Sequence, residues 1–559
     1  MSDANPLVGS TKLLSRQLVA VCKAKKVKRI VISPGSRNAP LVIGFTSDPY
    51  FECYSIVDER CAAFFALGLS QQLKEPVAVV CTSGSAMLNY YPAVAEAFYS
   101  DYPLVVLSAD RPEALLEIGD GQTIQQEGVY GKHILFEANC KEGDAYSAFN
   151  LEKINDALNT AIEKSGPVHI NLPFSEPLYK TTNQIGVSLS LTAPNREIPS
   201  DSFSKTELTH WNSANKILVL VGEIPPEAVA QDLLNKLTED KRVLIMTETT
   251  SNVHHPKLVN AIDQLIAPLD QEQLAALKPD ILVTLGGMIV SKKIKAFLRT
   301  FAPARHWHVG PKRAYDTFFC LERHFKSSTN NWLGSLPMSA NEHASDYRDF
   351  WLQIRDKRRM AHKTYLKNLP FCDFKAYQAV LKAIPAGKML QVSNSAAIRY
   401  TQLFELDSKL PVFCNRGTSG IDGSSSTAVG AAVGSGKPTV LLTGDLSFFY
   451  DSNALWNNYL PNDFRIVLIN NQGGGIFRIL PGNNNSKAFT TYFETKHRLT
   501  AQHYCNMYGF EYAQAADMND LDAVLSDFYH DNGKPKLLEI TTPGHVNDRY
   551  LLDYFDFVK

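Results

Sequence analysis

Two apolar, β-branched runs in the last third of the chain constrain its fold more than any other feature. The first covers residues 438–443 and stops at Gly444-Asp445; the second covers residues 464–469 and stops at Asn470-Asn471. Both have the length and composition of buried strands. Residues 451–460 between them predict a short helix, and such a unit pairs its strands in parallel through a right-handed crossover. We therefore expect the two polar ends to meet at one edge of a parallel sheet.

The residues at these two strand ends can ligate a hard metal ion. Asp445 offers a carboxylate, Asn471 an amide oxygen, and the turn at Gly473 an unhindered backbone carbonyl. Mg²⁺ takes oxygen ligands, usually a few from the protein together with substrate phosphates and water. The sequence therefore predicts a clamp for a metal ion and a diphosphate. The alternative is a pair of polar turns that end two core strands without binding anything.

The chain as a whole has the composition of a soluble globular enzyme. Its 559 residues are too many for one core, so we expect about three domains. A formal net charge of -1 gives no argument for a nucleic-acid or membrane partner. The chain has no apolar run of about eighteen residues, and its polar start, Met1 to Pro6, is not a secretory leader. These features predict a cytoplasmic protein.

Strand and helix patterns alternate along three sections of the chain. Such alternation predicts an α/β fold with mainly parallel sheets covered by helices. The first and third sections share a similar pattern of elements, as structurally related halves would. Strands are predicted at residues 29–33, 53–58, 77–81, 104–108 and 168–172, then at 217–221, 243–247, 281–285 and 306–309, and helices at 11–25, 60–73 and 345–368.

Glu59 ends a predicted strand over residues 51–59 and precedes the apolar helical run 60–69. A carboxyl group held against such a helix is poorly solvated, which raises its pKa. A group tuned in this way can exchange a proton near neutral pH. From the local sequence alone the other interpretation is stronger: Asp58, Glu59 and Arg60 begin a helix, where acidic residues are favoured.

Four short motifs lie in the first and third sections of the chain: Ser33-Pro-Gly-Ser-Arg-Asn-Ala-Pro40, Ser108-Ala-Asp-Arg-Pro112, Asn415-Arg-Gly-Thr-Ser-Gly-Ile-Asp-Gly423 and Gly444-Asp-Leu-Ser447. With these motifs, nearly the whole chain resembles the thiamine-diphosphate (ThDP) dependent superfamily and, within it, the 2-succinyl-5-enolpyruvyl-6-hydroxy-3-cyclohexene-1-carboxylate synthase family of menaquinone biosynthesis. They are distinctive in the first and third sections and weak in the middle. The resemblance implies a pyrimidine-binding domain (residues 1–180), a central α/β domain (200–345) and a diphosphate-binding domain (370–559).

The resemblance also implies a cofactor site for ThDP and Mg²⁺ or Mn²⁺. Glu59 would hydrogen-bond N1′ of the aminopyrimidine and promote loss of the thiazolium C2 proton, and Ile421 would be the apolar wedge that bends the cofactor. In this superfamily the glutamate and the metal site come from different subunits, which implies a homodimer or homotetramer with active sites at the interface. The metal ligands would be Asp445, Asn471 and Gly473, and the cofactor would contact Ser419, Gly420, Ile421, Gly444, Asp445, Leu446, Ser447, Asn471, Gly473 and Gly474.

The substrates implied by the resemblance are 2-oxoglutarate, which loses CO₂, and isochorismate. Both carry carboxylates, and the planar fork of arginine matches a carboxylate. Lys293 stands where the family pattern has arginine, and Gly121 stands where some relatives have asparagine. The resemblance assigns catalysis to Glu59, Gln122, Ser395 and Arg399, and substrate binding to Arg37, Arg111, Lys293, Arg399, Arg416, Phe477 and Leu480.

Two alternatives remain open at the level of sequence. One is another ThDP-dependent 2-oxo-acid decarboxylase or an acetolactate-type synthase, although the several arginines favour acidic substrates. The other is a nucleotide-binding protein with Rossmann-like sections. That second class requires a G-x-G-x-x-G turn between a strand and a helix, and none of the predicted strands leads into one.

Overall fold

The computed structural model of the chain describes residues 8–195, 197, 199–337, 345–479 and 486–559. Within these residues the strands form three six-stranded parallel sheets and one antiparallel pair. The predicted α/β fold with mainly parallel sheets is confirmed. The chain divides into two compact units: the first contains Met1–Arg196, Asn415–Pro438 and Ser447–Phe464, and the second contains Glu197–Cys414, Thr439–Leu446 and Arg465–Lys559.

The sheet of the first section has the order β3-β2-β4-β5-β7-β6 and buries apolar side chains under its helices. Two short strands, β1 and β8, pair antiparallel beside it. The strands are β1 (Gly9–Ser10), β2 (Arg29–Ile32), β3 (Glu52–Ser55), β4 (Val77–Cys81), β5 (Leu104–Asp110), β6 (Phe136–Asn139), β7 (Val168–Pro173) and β8 (Thr181–Thr182). The helices are α1 (Leu13–Ala24), α2 (Ala39–Thr46), α3 (Glu59–Leu73), α4 (Ala86–Asn89), α5 (Tyr91–Ser100) and α6 (Ser147–Lys164), with 3₁₀ turns at Glu113–Leu115, Gly131–His133 and Asp144–Tyr146.

The sheet of the middle section has the order β11-β10-β9-β12-β13-β14, with apolar clusters on both faces. Its strands are β9 (Ile217–Val221), β10 (Val243–Thr247), β11 (Leu258–Val259), β12 (Ile281–Leu285), β13 (Arg305–Val309) and β14 (Leu321–Phe325). The helices are α7 (Lys205–Ser213), α8 (Gln231–Leu237), α9 (Ile262–Ile266), α10 (Gln271–Leu277), α11 (Lys292–Thr300), α12 (Thr329–Ser335) and α13 (Tyr347–Asn368), with a 3₁₀ turn at Thr249–Ser251.

The sheet of the third section has the order β16-β15-β17-β18-β20-β19. Its strands are β15 (Met389–Val392), β16 (Val412–Phe413), β17 (Thr439–Gly444), β18 (Arg465–Asn470), β19 (Glu511–Ala515) and β20 (Lys536–Thr541). The helices are α14 (Asp373–Ala383), α15 (Ala396–Thr401), α16 (Ser424–Ser435), α17 (Asp445–Tyr450), α18 (Lys487–Tyr492), α19 (Gln502–Tyr508), α20 (Met518–Phe528) and α21 (Asn547–Phe557), with 3₁₀ turns at Ser452–Leu455 and Gly475–Ile479.

The first and third sheets have the same strand order. When the six strands of either sheet are numbered in chain order, their spatial order across the sheet is 2-1-3-4-6-5. The order therefore reverses between the first and third strands, and α/β proteins bind ligands in the crevice beyond such a reversal. The crevice lies beyond β2 and β4 in the first sheet, and beyond β15 and β17 in the third. The similar element patterns of the two sections thus correspond to one topology used twice.

The strands that precede the two polar turns of the third section pair in parallel, as predicted. Gly444 of β17 lies opposite Ile469 of β18. The helix predicted over residues 451–460 was wrong in its position, because α17 begins directly at Asp445 and only a 3₁₀ turn follows it. The side chain of Asn457 then bonds to nearby backbone and forms a turn, and Pro461 prevents a further helix.

Helices α3 and α16, both in the first unit, touch backbone to backbone. A Cβ on Gly68 would lie 2.1 Å from the carbonyl oxygen of Thr427, and a Cβ on Gly430 would lie 2.0 Å from that of Phe65. Gly423, before α16, has a φ of +71° and lies against the ring of Phe64. Gly423 contacts Phe64 and, further along, Gly434 lies beside Leu69, so residue numbers rise together along the two helices. The helices therefore run in the same direction, and their first turns lie at the same end of the pair.

Replacing Gly430 by alanine should therefore destabilise the first unit, by about 1–3 kcal/mol, because the new methyl group overlaps the backbone of α3. Thermal unfolding followed by circular dichroism would measure the change as a lower melting temperature. Gly334→Ala is the matched control, since Gly334 is an exposed helical glycine with open space at its Cβ. The control should be neutral or slightly stabilising. Equal melting temperatures for the two variants would contradict the close contact.

Candidate active site

The carboxylate of Asp445 lies where β17 ends and α17 begins. Its Oδ2 accepts a hydrogen bond from the backbone nitrogen of Gly473 at 2.9 Å, and its Oδ1 accepts one from Leu446 N at 2.7 Å. Gly473 belongs to the turn after β18, so the two strand ends meet as the sequence predicts. Two backbone donors orient the carboxylate, and its Oδ1 keeps a second lone pair for a ligand.

The amide of Asn471 is oriented by a second carboxylate. Asn471 Nδ2 donates to Asp373 Oδ2 at 2.8 Å, so Oδ1 is the end that can ligate a cation. Asp373 is completely buried, and this burial raises its pKa to about 6, although hydrogen bonds from Thr542 and Asn471 act in the opposite direction. The negative charge of Asp445 also raises the pKa of Asp373.

The turn at Gly473 admits only glycine. Its φ is +150°, and a Cβ there would lie 2.5 Å from the carbonyl oxygen of Glu494. Gly474 N donates to that same oxygen at 2.7 Å. The carboxylate of Asp445, the Oδ1 of Asn471 and the backbone at Gly473 are hard oxygen donors of the kind that Mg²⁺ and Mn²⁺ take. The residues present therefore fit the metal ion that the sequence implies.

His497 is a further neighbour of the Asp445 carboxylate. Its Nε2 lies 3.2 Å from Asp445 Oδ2. Its Nδ1 accepts a hydrogen bond from the backbone nitrogen of Leu499 at 3.1 Å, which places a proton on Nε2, facing the carboxylate.

Two of the substrate residues named from the sequence, Lys293 and Arg399, share one half-buried acidic neighbour, Asp263. Burial raises the pKa of Asp263, while a hydrogen bond from Ser291 and the charges of Lys293 and Arg399 lower it. Arg399 lies in α15, which directly follows Ser395. Ser395 has a φ of +68° and a ψ of −125°, a conformation that costs a non-glycine residue about 1–3 kcal/mol and is concentrated at functional sites.

Glu59 is the first residue of α3, and the interpretation that it ends a strand was wrong. The strand ends at Ser55, and the Asp58 side chain caps the helix by accepting from Cys61 N at 3.2 Å. Burial raises the pKa of the half-buried Glu59 carboxyl, and the charge of Asp58 raises it further. The pKa direction expected from the apolar helix is therefore observed.

The loop before α16 holds Ile421, and several side chains of the first unit fix this loop. Ser447 Oγ donates to the carbonyl oxygen of Ile421 at 2.7 Å. The buried carboxylate of Glu96 accepts from Gly417 N at 2.7 Å and Thr418 N at 2.6 Å. Because α3 and α16 run in the same direction, the loop of Ile421 lies at the end of the helix pair where Glu59 begins α3.

Arg37 and Arg111 lie close enough for the charge of Arg111 to lower the pKa of Arg37, an effect second only to burial. The Arg37 guanidinium donates to Phe174 O at 2.8 Å, and that of Arg111 donates to Gly121 O at 3.0 Å. The residue after Gly121, Gln122, has a φ of +55°. These loops follow β2 and β5, so the first sheet gathers two cations and an amide at one edge.

The remaining residues named from the sequence have simpler surroundings. Arg416 is buried, and Ser419 has a φ of +62°. Phe477 lies in the 3₁₀ turn Gly475–Ile479, with its ring centroid 6.0 Å from that of Phe493. Leu480 lies outside the described residues.

The named residues are distributed over both units. The first unit contains Arg37, Glu59, Arg111, Gln122, Arg416, Ser419, Gly420, Ile421 and Ser447. The second contains Lys293, Ser395, Arg399, Gly444, Asp445, Leu446, Asn471, Gly473, Gly474 and Phe477.

Sequence reasoning missed Asp373, His497 and Glu96, which contact named site residues or their loops. Asp373 precedes Asn471 by 98 positions, and Glu96 precedes Gly417 by 321. No local pattern connects residues so far apart in the chain. One signal was present for Asp373, since an acidic residue at a helix start is common, but it indicates a cap and does not indicate a partner for an asparagine.

Comparison with known proteins supports a ThDP site. Residues 13–131 match the family described as thiamine pyrophosphate enzyme, N-terminal TPP binding domain, and residues 396–540 match the corresponding C-terminal TPP binding domain. The chain is similar to proteins named 2-succinyl-5-enolpyruvyl-6-hydroxy-3-cyclohexene-1-carboxylate synthase. The relative from Flavobacterium johnsoniae is 52% identical and covers 97% of this chain and 98% of its own. That from Porphyromonas gingivalis is 35% identical, covering 97% and 96%.

The raised pKa of Glu59 gives a prediction about stability. A carboxyl with a raised folded-state pKa contributes stability at low pH that is lost as pH rises through that pKa. Glu59→Gln removes the ionisable group, so the variant should gain melting temperature relative to the unmodified protein, and the gain should be larger at pH 8 than at pH 5. Glu152→Gln, at an exposed helical position, should show no such pH dependence. A gain that shrinks as pH rises would contradict the direction of the shift.

Proposed function

Since the chain belongs to the 2-succinyl-5-enolpyruvyl-6-hydroxy-3-cyclohexene-1-carboxylate synthase family of ThDP enzymes, we propose that it decarboxylates 2-oxoglutarate and joins the remaining unit to isochorismate. The products are CO₂ and the compound that gives the family its name, an intermediate of menaquinone biosynthesis. One observation supports the proposal beyond family membership: in both sheets with the shared topology, residues that we assign to the site follow strands beside the reversal of strand order, namely Arg37 after β2, Ser395 after β15 and Asp445 after β17.

The third section supplies the site for the cofactor's diphosphate. We assign the metal ligands to Asp445, Asn471 and Gly473, whose donor atoms suit Mg²⁺ or Mn²⁺. The residues Gly444, Leu446 and Gly474 flank these ligands and would contact the diphosphate. When bound, ThDP supplies the thiazolium that accepts an electron pair as CO₂ leaves.

The first section supplies the proton-exchanging group. Burial disfavours the charged form of Glu59, and we assign this carboxyl as the group that exchanges a proton during the reaction. Ile421 is partly exposed, as a side chain must be if it supports a bound aminopyrimidine ring. Ser419, Gly420 and Ser447 complete the loop around it.

Fixed cations would bind the carboxylates of the substrates. Arg37 and Arg111 lie together at one edge of the first sheet, near Gln122, and Lys293 and Arg399 share the neighbour Asp263. Two arginines held close together repel each other, and an anionic ligand between them relieves that repulsion. Arg416, Ser395 and Phe477 are assigned to the same substrate site.

We propose a homodimer or homotetramer with active sites at the subunit interface, in which residues 1–180 bind the pyrimidine and residues 370–559 bind the diphosphate, joined by a central domain over residues 200–345. Among the described residues, no helix is both long and apolar enough to cross a membrane. We assign the protein to the cytoplasm, where its charged substrates would be available.

The reaction can be tested by supplying substrates in pairs. With ThDP and Mg²⁺, consumption of 2-oxoglutarate and release of CO₂ should require isochorismate for full rate and should yield the adduct, followed by mass spectrometry. Pyruvate in place of 2-oxoglutarate should give little product. Turnover of pyruvate alone would instead favour an acetolactate-type synthase, and turnover of 2-oxoglutarate to an aldehyde without an acceptor would favour a simple decarboxylase.

Replacing Glu59 by glutamine should lower kcat by about 100-fold or more, because the amide cannot exchange a proton near neutral pH. Binding of ThDP and Mg²⁺, measured by calorimetry, should change little, since the assigned metal ligands lie in the third section. Glu152→Gln should retain full activity. Near-normal turnover by Glu59→Gln would overturn the assignment of Glu59 as the proton-exchanging group.

A further inference from the structure

Asp373 is a buried carboxylate for which the proposed reaction has no use. It begins α14, and 2% of its surface is exposed. Both its oxygens are engaged: Oδ2 accepts from Asn471 Nδ2 at 2.8 Å, and Oδ1 accepts from the hydroxyl of Thr542. Burying a charge costs free energy unless the charge is hydrogen-bonded, and Asn471 and Thr542 supply the side-chain hydrogen bonds to this carboxylate.

The orientation of the Asn471 amide decides whether this residue can bind a metal ion. The two ends of an amide have nearly the same shape, but one end is an acceptor and the other is a donor. A cation requires the oxygen. A carboxylate can only accept hydrogen bonds, so Asp373 draws the NH₂ end of Asn471 towards itself and leaves Oδ1 facing away from it.

The surroundings hold Asp373 in the position that this role requires. Its backbone nitrogen donates to Asn547 Oδ1 at 2.9 Å, and Thr542 fixes its other oxygen. Thr542 N in turn donates to Asn470 O at 3.1 Å. Thr542, in the segment after β20, is therefore hydrogen-bonded both to Asp373 and to Asn470, the residue before Asn471. Rotation of the Asp373 carboxylate would break its hydrogen bonds to Thr542 and Asn471.

We propose that Asp373 is a positioning residue, which orients the Asn471 amide so that its oxygen faces the metal ion. The inference rests on the proposed function, because it takes Asn471 as a metal ligand. Asp373 itself does not contact the ion in this arrangement. Loss of a residue that hydrogen-bonds to a metal ligand typically weakens metal binding by about 10- to 100-fold.

The test is a double-mutant cycle on Mn²⁺ affinity, measured by electron paramagnetic resonance of the free ion with the full chain and saturating ThDP. Asp373→Leu keeps the volume but removes the acceptor, and should weaken Mn²⁺ binding by about 10- to 100-fold. Asn471→Ala should weaken it at least as much. The double variant should bind no more weakly than Asn471→Ala alone, because Asp373 acts only through that amide.

Two further variants separate positioning from a structural role. Asp373→Asn can still accept from Asn471 with its own oxygen while its NH₂ turns to the Thr542 hydroxyl, so it should retain most of the affinity. Thr542→Val leaves the contact between Asp373 and Asn471 in place and should change affinity less than about threefold, far below the effect expected for loss of the amide's partner. Melting temperatures of the metal-free variants would verify that each one folds.

The outcomes distinguish this inference from the proposed function. If the unmodified protein binds no Mn²⁺ with ThDP, or if Asn471→Ala binds as well as it does, the metal assignment itself is wrong. If Asn471→Ala weakens binding but Asp373→Leu does not, the metal site stands and the positioning role is overturned. Losses that multiply in the double variant would also overturn it, since they would show that Asp373 acts independently of Asn471.

Discussion

Parallel strand pairing is the constraint on which the rest of the structure depends. It sends every carboxyl end of a sheet to the same edge, so side chains that follow different strands can meet there. The pairing of Gly444 with Ile469 places Asp445 within hydrogen-bond distance of Gly473 N. A slip of one residue along either strand would separate these two groups and turn the flanking side chains to the opposite face. The candidate metal site is thus a consequence of register.

Buried carboxylates in this protein fall into groups with different environments. Asp445 has two backbone donors and a histidine nearby, and Glu96 accepts from two backbone nitrogens. These hydrogen bonds fix the orientation of the Asp445 and Glu96 carboxylates. Glu59 has only its own backbone nitrogen as a donor, and burial raises its pKa. The first environment fixes the position of a carboxylate, and the second, in which burial disfavours the charged form, suits a carboxyl that exchanges a proton.

Much of the fold followed from local patterns, because strands buried on both faces are continuous apolar runs. The predicted bounds for β4, β9, β10 and β12 are the observed ones. The predictions failed where polar and apolar residues mix. The helix predicted over residues 451–460 lies at Asp445–Tyr450, and Glu59, which was predicted to end a strand, begins α3. Both errors occur at strand ends, where a side-chain cap or a proline decides the boundary and hydrophobic periodicity carries no information.

Sequence by itself determined the α/β class, the parallel pairing of β17 with β18, the meeting of the two polar strand ends, and the family. These depend on apolar runs and on short motifs, which are local properties of the chain. Only the tertiary structure decided which residues contact and support those motifs. These contacts are the close packing of α3 on α16 at their glycines, the hydrogen bond from Gly417 N to Glu96 in the loop of Ile421, and the hydrogen bond from Asn471 to Asp373. Each of these joins residues far apart in the chain, and contacts of that kind arise only when elements pack.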